Sequence, residues 1–596
     1  MTRNGALWVL ALSGILGFWI GIACFPTWQV AVESAQVIAG LVSYPPANPF
    51  YIYHLKLWTA LHEILAVLLR AGLSEITLSE IVSGVLGMVS LQALSMFVFA
   101  FSRDVVSAVG TAFVIFLSGT AEFGGTYPID LMGTSHTYGA LGLSAVVLAA
   151  SLLGAGCYRL GGLLLGALPA IHPSLGIWCG LIAAIAVASD FKRLTTQLRE
   201  TLPWFVAGCG LTAASLAVHL VIARGVPPVQ TEVAGRYLTS FIAFWDSHRR
   251  APDLDNLGVY LNNPAVRLTI GLVPIALVWL FVLPDSVPRA AHFLLRFILA
   301  TACLAIGLIL ISLMTRGWLP GFVQILMPMR ILNIVGMTFA ALLFGLVAAS
   351  IRAPWGQLAW LMLSTALLLA DRSRLAIGNA FVRSLTEGLS SLSVMAATAI
   401  VVTLWAYLRK SNVAGLKVEN HRSGSITATA ATLRIVFIAA LIVYWVPSAE
   451  VTEPRPLLFR DRTHDPVFAA AAAGKGLLLT GDGLHLIQLR TRRPVLLDGG
   501  GLDGLVYSLE AAPAMDRILR DVYGIDLLDP SSREGMWTAT IPPVTNKRNW
   551  EKYSRETWLE IRHTYNVTQV LTPPDWRLDL PTAVRTQDMR LYQIPN

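Results

Sequence analysis

The sequence predicts a polytopic α-helical membrane protein of about thirteen transmembrane helices, followed by a C-terminal extracytoplasmic α/β domain. Three observations lead to this fold class. Of the 596 residues, 55% are hydrophobic and only 13% are charged. Apolar runs near the roughly 20 residues that cross a bilayer recur from residue 6 to residue 447 and then stop. The later residues combine frequent charges, short apolar runs and turn clusters, so we divide the chain into 1–447 and 448–596.

The apolar segments define the predicted spans. The first is too long for the core of a cleavable signal and lacks a clear cleavage site, so we interpret it as an anchor. The stretch 54–72 carries His, Lys, Glu and Arg and suits a helix lying along the outer surface, as does 28–41. The predicted spans are 6–24, 79–101, 104–119, 138–154, 161–171, 174–189, 203–222, 266–283, 290–314, 332–350, 354–370, 389–408 and 432–447.

The positions of Lys and Arg predict the orientation. With a cytoplasmic N-terminus, Arg103, Arg159, Arg289, Arg352 and the basic loops 190–200 and 409–422 all lie inside, which is the positive-inside pattern. The same alternation places the C-terminal domain outside, with the connections 25–78, 120–137, 223–265 and 371–388. We assign the net charge of +8 to topology and lipid headgroups, because no compact basic and aromatic patch indicates nucleic acid.

The segment 448–596 is expected to form a small α/β domain. Its short apolar runs predict strands at 476–482, 484–491, 494–500 and 567–574, and 549–565 has the pattern of an amphipathic helix. All five cysteines lie in or beside hydrophobic segments of the first domain. No disulfide is therefore expected to stabilise the second domain.

Ionisable residues concentrate in the predicted outer connections. Glu33 follows the first span by about nine residues, where a carboxylate at the lipid boundary could act as a general base or coordinate a divalent cation such as Mg²⁺ or Mn²⁺. The loop 118–142 contributes Glu122, Tyr127, Asp130 and His136. The alternatives are a solvated Glu on an amphipathic helix and ordinary turn chemistry in a loop rich in Gly, Ser and Thr.

The dipeptide His172-Pro173 interrupts an apolar run from 160 to 189. Proline and the residue before it disfavour a continuous helix, so we predict an outer turn between two short helices, with His172 able to bind a phosphate oxygen or move a proton. The basic residues Arg249, Arg250 and Arg330 suit lipid phosphates, because a guanidinium matches phosphate oxygens. A simple helix break and headgroup snorkelling are the alternatives.

The layout resembles the integral-membrane glycosyltransferases of the C-type fold (GT-C). The segment "VESAQVIAGLVSYPPANPFY" is similar to their acidic first-loop motif, with Glu33 at the acidic position, and "GTSHTYGALGL" and "AIHPSLGIW" resemble segments of uncharacterised bacterial members. Two features depart from the family. A single Glu stands where many members have Asp or an Asp-Glu pair, and the C-terminal domain lacks the WWD-type motif of oligosaccharyltransferases.

The resemblance implies a bacterial inner-membrane enzyme that transfers a sugar from a polyprenyl-phosphate or diphosphate donor to an extracytoplasmic glycan, lipid or protein. It implies Glu33 as the base, with Glu122 and Asp130 beside it. His172, Arg249, Arg250 and Arg330 would hold the leaving phosphate, and His136 and Tyr127 would contact substrate. A polysaccharide polymerase or ligase, and a transporter or flippase, are the alternatives. A transporter would more naturally show internal two-fold similarity, which this sequence lacks.

Overall fold

A computed structural model gives the fold of the described part of the chain. It describes residues 2–117, 129–246, 290–315, 319–349, 354–370, 432–443, 453–481, 484–497, 507–529 and 543–596, with single residues and short pieces between them. The predicted span 389–408 and most of 266–283 lie outside the described residues, as do Glu122, Tyr127, Arg249 and Arg250.

The first domain is a helical bundle. Its helices are α1 (Thr2–Ala23), α2 (Val30–Ile38), α3 (Pro49–Lys56), α4 (Ala60–Arg70), α5 (Glu75–Ser102), α6 (Val105–Leu117), α7 (Thr137–Gly154), α8 (Tyr158–Ile171), α9 (Pro173–Ala188), α10 (Phe191–Ile222), α11 (Thr231–Ser240), α12 (Ala291–Met314), α13 (Gly321–Ile325), α14 (Ile331–Ala348), α15 (Pro354–Ala370) and α16 (Thr432–Val443). Helices α1 and α5 pack closely because Gly17 and Gly87 face each other's backbone without a side chain between them.

The membrane character of the bundle is borne out, but thirteen spans are not. Among the described residues six helices are long and apolar enough to cross a membrane, or seven if the bent pair α3 and α4 is one span. Several predicted spans are shorter helices: α8 has 14 residues and α9 has 16. At about 1.5 Å per residue, each falls short of a bilayer core of roughly 30 Å. The predicted loop 190–200 is instead the first part of α10.

The predicted outer helices are present, with one difference. The stretch 28–41 contains α2, but 54–72 is not one helix: α3 and α4 meet at an angle of 106°. Thr59 begins α4 by accepting a hydrogen bond from the backbone N–H of Leu61, and its own hydroxyl donates to the carbonyl of Ile171. This contact with the end of α8 holds the bend against the bundle.

The C-terminal domain is built on a four-stranded sheet in the order β1-β2-β4-β3. Strands β1 (Leu477–Thr480) and β2 (Val567–Thr572) are parallel, whereas β4 (Arg590–Gln593) is antiparallel to both β2 and β3 (Thr582–Arg585). The helices of this domain are α17 (Arg455–Leu458), α18 (Pro466–Ala473), α19 (Ile487–Thr491), α20 (Ala512–Ile518), α21 (Pro543–Trp550) and α22 (Arg555–Tyr565). Buried Trp550, Trp558 and Trp576 pack against one another in its core.

Two predicted strands of this domain were correct and two were not. Strands β1 and β2 lie where expected, but 484–491 contains helix α19. Of 494–500 the structure describes residues up to 497, and there Val495 forms an isolated bridge with Leu478. The predicted helix 549–565 is interrupted, so that α22 begins at Arg555. Tertiary packing overrides local preference at α19, where the side chain of Gln488 is buried against the first domain.

Three predicted outer connections contact the C-terminal domain. The first does so through Gln36, which donates to the carbonyl of Leu489. The second brings His136 beside His485, and the third brings Trp245, which donates to the carbonyl of Leu527. Two of the predicted inner connections also meet, since Arg103 donates to the carbonyl of Ala155. Arg296, within the predicted span 290–314, pairs with Asp190 at 2.7 Å. The orientation of the chain in the membrane stays a prediction.

Candidate functional site

The candidate site lies where α2, the start of α7 and α19 of the C-terminal domain meet. Glu33 stands in the first turn of α2 and is buried, with 7% of its surface exposed. Its backbone carbonyl accepts a hydrogen bond of 2.9 Å from Nε2 of Gln488. The carboxylate is close enough for its charge to act on both Tyr138 and Arg490. The predicted base thus lies at the boundary between the two domains.

Buried polar side chains attach the C-terminal domain at this boundary. Tyr44 donates to Oε1 of Gln488 at 2.7 Å, and Gln36 donates to Oε1 of Glu75 at 3.1 Å. The same oxygen of Glu75 accepts a hydrogen bond from Nε of Arg492. Buried polar groups are costly unless they are paired, so this network strongly favours a single docked position.

A second network runs from Glu33 into the first domain. On α2 the next residue, Ser34, is hydrogen-bonded through its hydroxyl to Nδ1 of His54 at 2.9 Å and to the hydroxyl of Tyr138 at 3.4 Å. The Tyr138 hydroxyl is also hydrogen-bonded to Nε2 of His62. Both histidines are 1% exposed. A hydroxyl can donate and accept at once, so this chain of groups can pass a proton away from the neighbourhood of Glu33.

The predicted break at His172 is confirmed. Helix α8 ends at Ile171 and α9 begins at Pro173, with extended backbone at His172 between them. The side chain of His172 is 8% exposed, and its Nε2 lies 3.1 Å from Nη1 of Arg330, which is 4% exposed. Two predicted site residues that are 158 positions apart are therefore in direct contact.

The hydrogen bond fixes the roles of the two side chains. A guanidinium can only donate, so Nε2 of His172 accepts from Arg330. Nδ1 of His172 caps the start of helix α9, 3.4 Å from the backbone nitrogen of Leu175, and it lies 3.3 Å from the hydroxyl of Ser174. Arg330 therefore carries the positive charge of the pair, and its hydrogen bond to His172 orients the guanidinium.

The loop that carries Arg330 is held from two sides. Nε1 of Trp178 on α9 donates to the carbonyl of Leu326 at 2.9 Å, and the Tyr507 hydroxyl of the C-terminal domain lies 4.0 Å from Sδ of Met327. Met327 has a φ of 47°, a left-handed conformation that is unusual for a side chain other than glycine and occurs directly before Pro328. Such strain persists only where the surroundings enforce it.

Helix α7 connects the two clusters. Tyr138 and Gly142 are four residues apart and so lie on one face, about one helical turn from each other. A Cβ atom at Gly142 would be 2.7 Å from Cβ of His172, so the glycine lets the helix break approach α7. Glu33 and Arg330 therefore lie at opposite ends of one continuous set of contacts.

The remaining predicted residues are placed as follows. Asp130 and His136 are both exposed on the loop before α7, and the ring of His136 lies 6.2 Å from that of His485, between centroids. Glu122, Tyr127, Arg249 and Arg250 fall outside the described residues. Within the described ranges no three or more His, Cys, Asp or Glu side chains group into a metal site, so we assign no ligand set to Mg²⁺ or Mn²⁺.

Sequence reasoning missed Ser34, His54, His62, Tyr138, His485 and Arg490. His62 and Tyr138 were visible as polar residues among apolar ones, which is a usable signal. His485 and Arg490 were assigned to a predicted strand, so nothing in the sequence placed them beside Glu33.

Comparison with known proteins identifies no relative. No protein-family model matches the chain, and no curated protein is significantly similar to it.

Proposed function

We propose that the chain is a membrane glycosyltransferase that moves a sugar from a polyprenyl-phosphate-linked donor to an acceptor on the side of the C-terminal domain. The observation that carries the proposal is the buried Arg330–His172 pair, joined through α7 to the cluster around Glu33. A cation fixed below the rim of an apolar bundle suits a phosphate on a lipid, and a carboxylate nearby suits a hydroxyl acceptor.

Each residue has a defined part in the reaction. Glu33 takes the proton of the acceptor hydroxyl while the acceptor oxygen forms a bond to the anomeric carbon of the sugar. The bond between that carbon and the phosphate oxygen breaks, and the phosphate leaves with the electron pair. Arg330 stabilises the charge that grows on this leaving phosphate. His172 is a positioning residue, because it acts through Arg330.

The reaction leaves a proton on Glu33, which must be removed before the next turnover. The charge of Glu33 acts on Tyr138, whose hydroxyl can both donate and accept, and its partners Ser34 and His62 extend the path. Such a path can operate at neutral pH, because a neutral imidazole can accept the proton. The donor's hydrocarbon chain remains in the lipid around the bundle.

Transfer by the purified full-length chain tests the proposal. The protein in lipid nanodiscs would be given radiolabelled polyprenyl-phosphate and polyprenyl-diphosphate sugars with extracted envelope acceptors. We expect Glu33→Gln to lower transfer by about 100-fold or more, because general-base catalysis contributes on that order. Glu232→Gln, a change at an exposed position of α11, is the matched control and should leave transfer unchanged.

Two results would contradict the proposal. Transfer that survives both Glu33→Gln and Arg330→Gln would exclude these residues from the site. Absence of transfer with every donor, together with uptake of solute by vesicles that contain the protein, would favour the transporter instead.

A further inference from the structure

A second group of side chains lies at the boundary between the two domains, near Glu33. It consists of His136, immediately before α7, and His485 and Arg490 of the C-terminal domain. The rings of the two histidines face each other with 6.2 Å between centroids, and the charges of His136 and Arg490 both act on His485. Arg490 is near enough to Glu33 for their charges to interact. The two domains thus bring three basic side chains to the rim of the candidate site.

Arg490 differs from the neighbouring arginines in its hydrogen bonding. Nε of Arg490 is buried and has no hydrogen-bond partner among the described residues, and the guanidinium carbon lies 5.6 Å from the ring centre of Phe468. By contrast, the adjacent Arg492 binds Glu75, and Arg493 donates to the carbonyl of Ala471 at 2.8 Å. His136 and His485 are exposed.

The carboxylates around Arg490 are committed elsewhere or lie at a distance. Asp465 forms an ion pair of 2.5 Å with Arg460, and Arg460 itself repels Arg490. The negative charge of Glu33 also acts on Arg490. A guanidinium that is partly removed from water without an anionic partner is costly, and a bound anion would remove that cost.

We propose that His136, His485 and Arg490 form a subsite for an anionic group, a phosphate or a carboxylate, of the acceptor substrate. This inference rests on the proposed function, because it takes Glu33 as the base that the acceptor must approach. The donor phosphate is assigned to Arg330 and His172 of the helical bundle, whereas His485 and Arg490 belong to the C-terminal domain and His136 precedes α7. An acceptor held by its negative charge at this position can present a neighbouring hydroxyl to Glu33.

The electrostatics of His485 agree with an anion subsite. The imidazole reaches solvent, yet its pKa is lowered to about 4, chiefly by the protein packed around it and also by the charges of His136 and Arg490. The negative charges of Glu33 and Asp465 act on Arg490, as does the positive charge of Arg460. An anion between the three bases would favour protonated histidine, so anion and proton should bind together.

Sulfate binding tests the subsite without requiring transfer. The full-length protein in nanodiscs would be titrated with sulfate, whose charge is constant between pH 6 and 8, at fixed ionic strength against chloride. We expect sulfate to raise the melting temperature more at pH 6 than at pH 8. Arg490→Gln should weaken binding about 10-fold or more, because it removes a charge-assisted hydrogen bond to the anion. Arg490→Lys should retain part of it, and exposed Arg585→Gln is the matched control.

The outcomes separate this inference from the proposed function. Native protein that does not bind sulfate, or binding that Arg490→Gln leaves intact, would overturn the subsite even if transfer occurs. Sulfate binding by a protein that transfers no sugar would leave the subsite and reject the enzyme. Glu33→Gln should abolish transfer while still binding sulfate. Displacement of sulfate by undecaprenyl phosphate would assign the anion to the donor and contradict the acceptor assignment.

Discussion

Nη1 of Arg330 lies 3.1 Å from Nε2 of His172, and both side chains are buried. The histidine is the acceptor of this hydrogen bond, so its role can be separated from that of a cationic phosphate ligand. The pair also depends on the helix break, because His172 has the extended backbone that ends α8 and begins α9.

Replacement of His172 should show which property matters. His172→Gln keeps an acceptor for Arg330, whereas His172→Leu removes it and leaves a buried guanidinium donor unsatisfied. We expect the Leu variant to lower kcat/KM for the donor by about 10-fold more than the Gln variant, because it loses a hydrogen bond to a charged group. Steady-state transfer measures this difference. Equal losses in the two variants would mean that His172 does not act through Arg330.

The close approach of α7 to His172 makes a second prediction. Gly142→Ala should lower the melting temperature and transfer together, because overpacking of this kind costs about 1–3 kcal/mol. Gly180→Ala on α9 is the matched control, since a Cβ there meets no atom within 4 Å. Thermal unfolding in detergent would compare the two. A Gly142→Ala variant as stable and active as the control would contradict the packing described for this site.

Tyr138 links Ser34 to His62, so Tyr138→Phe should leave two buried polar groups without their shared partner. We expect a loss of about 1–3 kcal/mol in stability and slower turnover. The double variant Tyr138→Phe, His62→Leu should be less destabilised than the sum of the single changes, because residues in one network are coupled. Additive single effects would show that the hydroxyl and the imidazole are energetically independent.

Glu75 accepts hydrogen bonds from both Gln36 and Arg492, and is 5% exposed. Glu75→Gln should loosen the C-terminal domain by about 1–3 kcal/mol, because it removes the charge from a half-buried ion pair in which the Arg492 side chain is 35% exposed. Limited proteolysis would detect faster release of a C-terminal fragment. Lys547→Gln is the control, since its ion pair with Asp575 is exposed and such pairs contribute little. Equal cleavage of both variants would reject this role.

The lowered pKa of His485 gives a pH dependence of defined sign. The folded protein binds a proton at this imidazole only near pH 4, whereas an unfolded chain does so near the ordinary value of 6.5. Stability should therefore fall as the pH drops from 6.5 towards 4, because the unfolded state gains protons first. His485→Gln should reduce this fall. Melting temperatures between pH 7 and pH 4.5, without sulfate, would measure it, and identical slopes would contradict the assignment.

The features that local sequence carries were predictable. The break at Pro173 follows from proline chemistry, and the position of β2 follows from a short apolar run ending in two prolines. The orientation in the membrane, which was inferred from the positions of Lys and Arg, stays a prediction.

Contacts between residues far apart in the sequence were not predicted. The side chain of Gln488 binds partners that are 452 and 455 positions away in the sequence. Because these contacts favour the helix, the residue pattern near 488 alone could not predict it. For the same reason His485 and Arg490 could not be placed beside Glu33 from the sequence. The two helices at His172 were located correctly, but with 14 and 16 residues they are not among the described helices long enough to cross a membrane.

The contacts between Gln488 and α2 also determine when the site can come into existence during synthesis. Gln488 and Glu33 are 455 positions apart, so α2 must wait for nearly the whole bundle to be inserted before its partner emerges. Contacts of such sequence separation form late and slowly, and until then the polar groups of α2 stand exposed. A nascent or shortened chain that ends before residue 488 would therefore be inserted in the membrane yet inactive, and it would present that unsatisfied surface to chaperones and proteases.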